Sequence, residues 1–579
     1  MPAKPSGEIK TRIIKNSQKN GDIYVLERKT IYDTVKKCNR VLSTKLIAKI
    51  PKGSEKQVPT RPKRAYSDSI TKKNEISASR THVGMMDIID HIGSVSGIDE
   101  GIYNATDTGT AQKIISLARY LLASNGQSLP GILTWQFNHP LPYTEGISEV
   151  IYHELFTRIG RDESLQQSFF RSRCKDLEEH DALAYDSSTI STYSENQTEA
   201  RYGFNKASDG LKTIKLLTLY SIESRQPIAF TKQPGHLPDV ITIANALTQL
   251  SALGISSSEI ITDNGYCSEQ NLSEFFQAGF DFVTLIKTSV KWVKAELDSH
   301  MEEFNSISSA CPFDISTHGI TVILKHDFKK IRKYTSHKNG IQKGEEEIFS
   351  RRIYLSIYFS SMRQSEDKTA FEHSLYEIKT LIESGTAVQE LSDKAQTKVK
   401  KYMTVRFRAG KAHVSFNDKA CAEAYKYHGY FALVSSKEKE PFECLRKYRR
   451  RETIESFFEA GKQHADGSRI RVWDTDTLRG RMFVQFVSLC YYEYFSEQVR
   501  KLKASLGKKT NSEHNTKAVI DAENKLKSWL ENTPLYLQLQ WFDAIENVSI
   551  SSVLGKKRWN TEVTSRDKLY LEKLGVNIR

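Results

Sequence analysis

Residues 448–462 read YRRRETIESFFEAGK, and the rest of the chain is interpreted outward from this stretch. Read as one helix, it aligns Tyr448, Arg451, Glu455 and Lys462 on one face, because steps of three, four and seven residues return to the same side of a helix. One carboxylate then lies between cations, which suits a metal-binding glutamate whose neighbours bind a phosphate backbone. By itself the stretch fits a solvated helix face with weak ion pairs at least as well, so the rest of the chain must decide.

The composition fits a polyanionic partner, and a merely basic soluble protein is the alternative that charge alone leaves open. Lys and Arg number 84 against 70 Asp and Glu, a formal charge of +14 over 579 residues, and nucleic acid is the simplest such partner. The seven Cys are scattered without a CxxC pair, so neither a zinc module nor a disulfide framework is expected, and a reducing cytoplasm fits. The N-terminal MPAKPSGEIK lacks the apolar stretch of a secretory signal, and no run of about 18 apolar residues predicts a membrane span.

Hydrophobic periodicity divides the chain into six regions, whose centre alternates between strand-like and helical patterns and predicts an α/β fold with a mixed sheet. The predicted regions are an N-terminal β unit with a basic linker (1–82), a helical region (83–175), the first part of the mixed sheet (176–290), a β-rich insertion (291–428), the second part of the sheet with the Glu455 helix (429–505), and a C-terminal helical region (506–579).

Two of these regions offer further contacts to DNA. The helical region is a candidate DNA-binding domain, although no rule names a recognition helix and a plain scaffold is the alternative. The insertion carries basic residues that are candidates for phosphate contacts, with the wet face of an antiparallel sheet as the alternative. These residues are Lys325, Lys329, Lys330, Arg332, Arg351, Arg352, Arg406, Arg408 and Lys411.

Two aspartates accompany predicted strands of the sheet. Asp186 follows Leu183–Tyr185, and Asp263 ends the strand EIIT before the turn pair Asn264–Gly265. A carboxylate at the end of an interior strand is held where α/β sheets bind ligands. If Asp186, Asp263 and Glu455 converge, they repel one another unless a cation is present, and hard divalent cations prefer such oxygens. Two Mg²⁺ or Mn²⁺ ions about 3.5–4 Å apart would suit phosphodiester chemistry, with Arg451 and Lys462 on flanking phosphates and Tyr448 against the DNA.

At these residues the chain resembles the bacterial insertion-sequence DDE transposases of the ribonuclease H-like, retroviral-integrase superfamily. Within that superfamily it resembles the branch with a β-rich insertion and a Tyr-Arg-Glu-Lys signature, whose gaps of two, three and six residues Tyr448, Arg451, Glu455 and Lys462 match. The likeness also includes YDSSTIS, PGHLPD, ITDNGYCSEQNL and TLRGRMFVQFVSL. His236 departs from the common Asn, and Asn264 from a small residue, but neither replaces a carboxylate.

The resemblance implies a ribonuclease H-like catalytic core and metal-dependent cut-and-paste transposition, with Asp186, Asp263 and Glu455 as catalytic metal ligands. The expected partners are terminal inverted repeats and target DNA, bound by a homodimer on paired ends in the bacterial cytoplasm, at the nucleoid. Two alternatives stay open: a non-catalytic DNA-binding regulator derived from a transposase, and a nuclease that cleaves without strand transfer.

Overall fold

The structure is a computed structural model that describes residues 9–33, 37–59, 77–175, 177, 181–203, 205, 209–256, 258–331, 344–408, 410–465, 469–470, 472–508, 517–552, 555–561 and 563–578. Contacts divide the chain into one unit of Met1–Ala78 with Ile550–Lys557 and another of Ser79–Ser549 with Arg558–Arg579. Most of the predicted basic linker, residues 60–76, lies outside the described residues. Within the described part of the chain, no helix has the length and apolar character needed to cross a bilayer.

The first unit contains a small antiparallel sheet. Its strands are β1 (Lys10–Ser17), β2 (Ile23–Asp33), β3 (Cys38–Ile50) and β4 (Val58–Pro59), which pair in chain order. Val25, Ala48 and Ile50 form its buried cluster. The strands of this four-stranded meander lie within the region where the sequence predicted a β unit.

A strand and six helices precede the central sheet, and all six helices lie within the region where the sequence predicted helices. Asp107 caps α3 by accepting from the Thr110 amide, and Asp162 caps α6 by accepting from Leu165. The elements are β5 (Ser77–His82), α1 (Gly84–Val95), α2 (Ile98–Ala105), α3 (Thr108–Ala123), α4 (Ile132–Trp135), α5 (Glu149–Arg161) and α6 (Glu163–Cys174).

The central sheet has the predicted ribonuclease H-like arrangement. Three antiparallel strands are followed by two strands parallel to the first, in the spatial order β8-β7-β6-β9-β10. Nearly continuous burial along β6 and β7 fits interior strands covered on both faces. The elements are β6 (Ala182–Thr192), β7 (Lys212–Ser221), β8 (Gln226–Pro234), α7 (Ile243–Ala252), β9 (Glu259–Thr262), α8 (Glu269–Ala278) and β10 (Asp281–Ile286).

The insertion differs from its prediction in two ways. Helices occupy as much of its described residues as strands do, and its longest strands join the central sheet, because β16 pairs with both β10 and β13. Met403–Arg408 and Lys411–Phe416 pair as the antiparallel hairpin β14–β15. The elements are α9 (Lys291–His300), β11 (Ala310–Cys311), β12 (Asp314–Ile331), β13 (Glu346–Ser360), α10 (Ser361–Glu383), α11 (Asp393–Tyr402), β14 (Met403–Arg408), β15 (Lys411–Phe416), α12 (Asp418–Tyr425) and β16 (Tyr430–Ser435).

The remaining elements bring two further corrections. The single helix expected over 448–462 is two helices that meet at Arg451. At this junction each main-chain amide donates to the carbonyl three residues earlier, as in a 3₁₀-helix, instead of four residues earlier. The Arg451 amide donates to Tyr448, and the Ile454 amide donates to Arg451. The C-terminal region, expected to be helical, also contains two strands. The elements are α13 (Pro441–Arg450), α14 (Glu452–His464), β17 (Arg469–Ile470), α15 (Thr475–Ser505), α16 (Lys517–Asn532), α17 (Leu535–Trp541), β18 (Glu546–Ser552), β19 (Gly555–Asn560) and α18 (Ser565–Leu574).

The long helix α15 joins the helical region to the sheet. It crosses α5 so closely that a Cβ on Gly160 would lie 1.8 Å from the Asp476 carbonyl oxygen, and one on Gly480 would lie 1.9 Å from that of Phe156. Only glycine permits this approach. On the sheet side, Phe486 of α15 packs against Phe457 of α14, so the Glu455 helix is held between the sheet and α15.

Candidate active site

The sheet register places the two aspartates side by side. Ala184 of β6 pairs in parallel with Ile261 of β9, and Asp186 and Asp263 each lie two residues further on. Because side chains alternate along strands, both carboxylates are expected on one face. Each is fixed by the amide that follows it: Ser187 N–H donates to Asp186 Oδ1 at 2.7 Å, and Asn264 N–H donates to Asp263 Oδ1 at 2.7 Å.

The junction between α13 and α14 brings the third carboxylate to them. Arg451 donates from Nη1 to Asp186 Oδ2 at 2.8 Å and from Nη2 to Glu455 Oε1 at 2.7 Å. The Tyr448 hydroxyl donates to Asp263 Oδ1 at 3.0 Å. Ile454 and Phe457 are buried in the core. Packing of the apolar side of α14 therefore fixes the position of Glu455 relative to the sheet.

The guanidinium of Arg451 is the charge at the centre of this cluster. Its side chain is 9% exposed, and those of Asp186 and Glu455 are 15% and 58% exposed. Burial lowers the pKa of Arg451, but the negative charges of Asp186, Asp263 and Glu455 outweigh burial. The pKa of Arg451 therefore lies above its ordinary value. Burial, followed by the charge of Asp263, raises the pKa of Tyr448. The cluster is thus an ion-paired network in which one cation is shared.

The predicted site residues are therefore only partly brought together. Arg451 is hydrogen-bonded to Asp186 and Glu455, and Tyr448 is hydrogen-bonded to Asp263. The two groups are neighbours, because the Arg451 guanidinium lies 5.6 Å from the centroid of the Tyr448 ring. Lys462 is exposed on α14, seven residues beyond Glu455 and roughly 10 Å along the helix axis. Contacts of Tyr448, Arg451 and Lys462 with DNA stay predictions, because in this structure Tyr448 and Arg451 contact the carboxylates.

The basic residues of the insertion divide between exposed and paired positions. Lys329 pairs with Glu346 at 2.9 Å and Lys330 with Glu347 at 3.2 Å, so these charges are partly neutralised. Arg406, Arg408 and Lys411 are exposed on the β14–β15 hairpin. Arg332 lies outside the described residues.

Sequence reasoning missed a fourth carboxylate beside the site. Asp239 Oδ1 accepts from Ser187 Oγ at 3.0 Å and from Lys215 Nζ at 2.7 Å. The signal was present in the segment PGHLPD, which ends at Asp239, together with a lysine in the middle of the apolar strand β7. A buried lysine requires an anionic partner, and Lys215 has one in Asp239.

The chemistry of the cluster fits a hard divalent cation. Its charged ligand groups are carboxylates, the oxygen donors that Mg²⁺ and Mn²⁺ prefer, and two of them already share one positive charge. Within the described residues, their oxygens do not all lie within 4.8 Å of one another. Asp186, Asp263 and Glu455 are residues that could hold such ions.

A family model described as "Transposase DDE domain" matches residues 178–491, more than half of the chain. The chain belongs to this family. It is a DDE transposase, and this family generally uses divalent metal ions. No curated protein sequence matches the chain. Among solved structures it is similar to a piggyBac transposase in its synaptic complex with hairpin DNA, at 10% identity over 81% of this chain and 83% of that chain, with a TM-score of 0.35.

Proposed function

We propose that this DDE transposase moves an insertion sequence by cut and paste. It hydrolyses phosphodiester bonds at the terminal inverted repeats and joins the freed 3′-hydroxyl ends to target DNA. The observation that carries the proposal is that Asp186 and Glu455 share the buried guanidinium of Arg451, 5.6 Å from the ring of Tyr448, whose hydroxyl donates to Asp263. Such a set of acids next to an exchangeable cation suits phosphoryl transfer.

We assign the catalytic carboxylates as Asp186, Asp263 and Glu455, which bind Mg²⁺ or Mn²⁺, two ions in the complete site. The ions supply activation of the attacking water or 3′-hydroxyl and stabilisation of the leaving oxygen. Asp186 and Asp263 each keep one oxygen on a main-chain amide, which holds the carboxylate plane while the ligand oxygens engage.

Arg451 and Lys462 are assigned to the DNA phosphates. The planar fork of Arg451, which grips two carboxylates at 2.8 and 2.7 Å, has the geometry to grip phosphate oxygens instead. Lys462 acts as an exposed point charge further along α14. Tyr448 orients Asp263 and faces the DNA near the cut. Arg451 and Tyr448 thus contact the carboxylates before the substrate binds and the DNA once it is bound.

The partners follow from the family and the charge. We propose that the substrate is double-stranded DNA, as terminal inverted repeats and target, bound by two copies of the chain on paired ends. The helical region 83–175 and the basic hairpin β14–β15 are the proposed auxiliary contacts. The place of action is the bacterial cytoplasm, at the nucleoid.

Excision from a plasmid tests the proposal. A marker flanked by the gene's own border DNA is combined with wild type, Asp263→Asn and Glu455→Gln. The matched control is Glu459→Gln, one turn along α14, where Glu459 accepts only from the surface residue Gln463 in the described contacts. Wild type and the control should excise, and the two site variants should fall by at least about 10³-fold, the scale of removing a group that acts in the transition state.

Purified protein then separates the alternatives. Border DNA incubated with target plasmid should give both cleaved ends and joined product. Cleavage without joining would indicate a nuclease, and border binding without cleavage would indicate a regulator. Equal excision by Glu455→Gln and wild type would refute the carboxylate assignment.

A further inference from the structure

We propose that Asp239 is a positioning residue of the active site, which acts with Lys215 through Ser187 to fix Asp186. The inference rests on the proposed function, because it concerns how that site binds its divalent ions. Asp239 itself belongs to the turn before α7 and is not assigned as a metal ligand.

The need for such a residue arises from the sheet. On one side of β6, β9 pairs only with Ala182–Ala184, and β17 pairs with Ser191–Thr192. Among the described strands, none pairs with Asp186 and Ser187 on that side, although β7 pairs with both on the other. The strand segment that carries the metal-binding aspartate is therefore held by one ladder instead of two.

Asp239 stabilises this segment of β6 from the face opposite Asp186. Asp186 and Ser187 point to opposite faces of β6 because side chains alternate. Ser187 donates its hydroxyl to Asp239 at 3.0 Å, while its main-chain amide donates to Asp186 Oδ1 at 2.7 Å. Fixing the Ser187 side chain therefore fixes the amide that orients the Asp186 carboxylate.

Lys215 fixes Asp239 in turn. Its ammonium donates to Asp239 Oδ1 at 2.7 Å and to the Leu237 carbonyl at 2.6 Å, so it binds both the side chain and the main chain of the turn. The Lys215 side chain is 6% exposed. A buried ammonium with two fixed acceptors has little freedom, so Asp239 is held rigidly.

The same turn contacts the loop that follows Asp263. Asp239 Oδ2 lies 3.6 Å from where a Cβ of Gly265 would lie. The buried amide of Asn271 donates to the Val240 carbonyl at 2.7 Å and to the Tyr266 carbonyl at 2.6 Å. One turn therefore connects the segments that carry both aspartates, which is the role of an outer shell around metal ligands.

The chain contains a matched control for a merely stabilising ion pair. Lys232, on the neighbouring strand β8, pairs with Glu199, and the two side chains are 4% and 30% exposed, against 6% and 31% for Lys215 and Asp239. Glu199 contacts neither Asp186 nor Asp263 in the described residues. Glu199→Gln therefore removes a pair of equal burial without touching the proposed site.

The experiment measures Mn²⁺ binding to the full-length protein by the paramagnetic resonance of free Mn²⁺, with Asp186→Asn as the reference for a lost site. Asp239→Asn and Ser187→Ala should weaken Mn²⁺ binding about tenfold, the scale of removing an outer-shell partner. Ser187→Thr keeps the hydroxyl and should restore binding. Glu199→Gln should bind Mn²⁺ as wild type does, even where its melting temperature falls as far as that of Asp239→Asn.

The Mn²⁺ concentration that half-saturates border cleavage gives the second readout, and it should rise in parallel for Asp239→Asn and Ser187→Ala. If both variants bind and use Mn²⁺ as wild type does, Asp239 is only a stabilising residue and the inference is wrong, while the proposed function stands. If wild type binds Mn²⁺ no better than Asp186→Asn and does not cleave, the proposed function fails and the inference falls with it.

Discussion

Two clusters of metal-ligating residue types differ in a way that proximity alone would misjudge. Among the described residues, His82, His139 and Asp543 have ligand atoms that all lie within 4.8 Å of one another. The carboxylates around Arg451 do not meet that distance. Yet the two imidazole rings are stacked, with centroids 4.5 Å apart and planes 16° from parallel. A metal lies about 2.0–2.1 Å from a histidine nitrogen, close to the ring plane, and two stacked planes share no such point.

Each histidine of this cluster also has a main-chain carbonyl as a hydrogen-bond partner. Nδ1 of His82 lies 2.7 Å from the Asp543 carbonyl oxygen, and Nδ1 of His139 lies 2.8 Å from that of Trp135. A carbonyl only accepts, so both nitrogens carry a proton and donate. His139 also stacks on Trp135 at 3.8 Å. The two clusters therefore differ in the arrangement of their ligand atoms, and among the described residues only the carboxylate cluster has a cation, Arg451, bound between two of its acids.

Removing Arg451, the cation that Asp186 and Glu455 share, should have the largest effect on stability and on border cleavage. Arg451→Gln leaves Asp186 and Glu455 without their common partner, and we expect it to lower the free energy of unfolding by about 3 kcal/mol and border cleavage by about 10²-fold. The matched control is Arg450→Gln, whose pair with Glu223 is exposed on both sides and should cost less than about 0.5 kcal/mol.

Divalent ions sharpen that prediction. If Arg451 occupies the binding site of a divalent metal ion, Mn²⁺ should replace the charge that Arg451→Gln has lost. Mn²⁺ should therefore raise the melting temperature of Arg451→Gln more than that of wild type or Arg450→Gln. Thermal melts with and without Mn²⁺ measure this difference. An equal rise in all three proteins would show that Arg451 and the metal do not share the site.

A carboxylate without a guanidinium provides the internal reference. Tyr220 donates to buried Glu493 at 2.8 Å, much as Tyr448 donates to Asp263, and burial raises the pKa of Glu493 from 4.5 to about 7. The folded state then binds more protons than the unfolded state between these values, so stability falls as pH rises from about 4.5 to about 7. Glu493→Gln should remove this loss. The free energy of unfolding of the variant, relative to that of wild type, should therefore rise by up to about 3 kcal/mol between pH 4 and pH 8.

Glu497 gives the control of opposite sign on the same helix. Burial raises its pKa, but the hydrogen bond and charge of Arg500 outweigh burial, and the net pKa is lowered. Its stabilising effect is present above its ordinary pKa and is lost as pH falls, so Glu497→Gln should destabilise the protein at pH 8. Melting curves across pH check both variants, and a Glu493→Gln curve parallel to wild type would contradict the prediction.

The hydroxyl of Tyr448 should matter less than the charge of Arg451. Tyr448→Phe keeps the ring near Arg451, with centroid and guanidinium 5.6 Å apart, and removes the hydroxyl that donates to Asp263. We expect border cleavage to fall about tenfold, the value of one hydrogen bond to a charged group. Tyr427→Phe is the control, because outside the site it removes a hydroxyl that donates to Asp298 and also accepts from Lys294. A loss as large as that of Arg451→Gln would mean that Tyr448 has a further role.

The sequence predicted what depends on local periodicity. Helical spacing grouped Tyr448, Arg451 and Glu455, and strand patterns with turn signals placed Asp186 and Asp263 on interior strands. Pairings between distant residues escaped it: Ser435 of β16 lies between Val283 and Tyr354, and no pattern within the insertion indicates that its strands extend the central sheet. The helix break at Arg451 was missed because α13 and α14 each have good helical sequence, and tertiary ion pairs fix the junction.

The histidine cluster should show the smallest effect on catalysis. His139→Phe keeps an aromatic ring on Trp135 but removes the contact of Nε2 with Asp543 Oδ1 at 3.0 Å and the bond to the Trp135 carbonyl. We expect a loss of about 1–2 kcal/mol in stability, with border cleavage and Mn²⁺ binding unchanged. Elemental analysis of protein dialysed against Zn²⁺ and Mn²⁺ should give equal metal content for the variant and wild type. Loss of one bound equivalent in His139→Phe would mean that the stacked rings rearrange to hold an ion, and would reverse the distinction drawn between the two clusters.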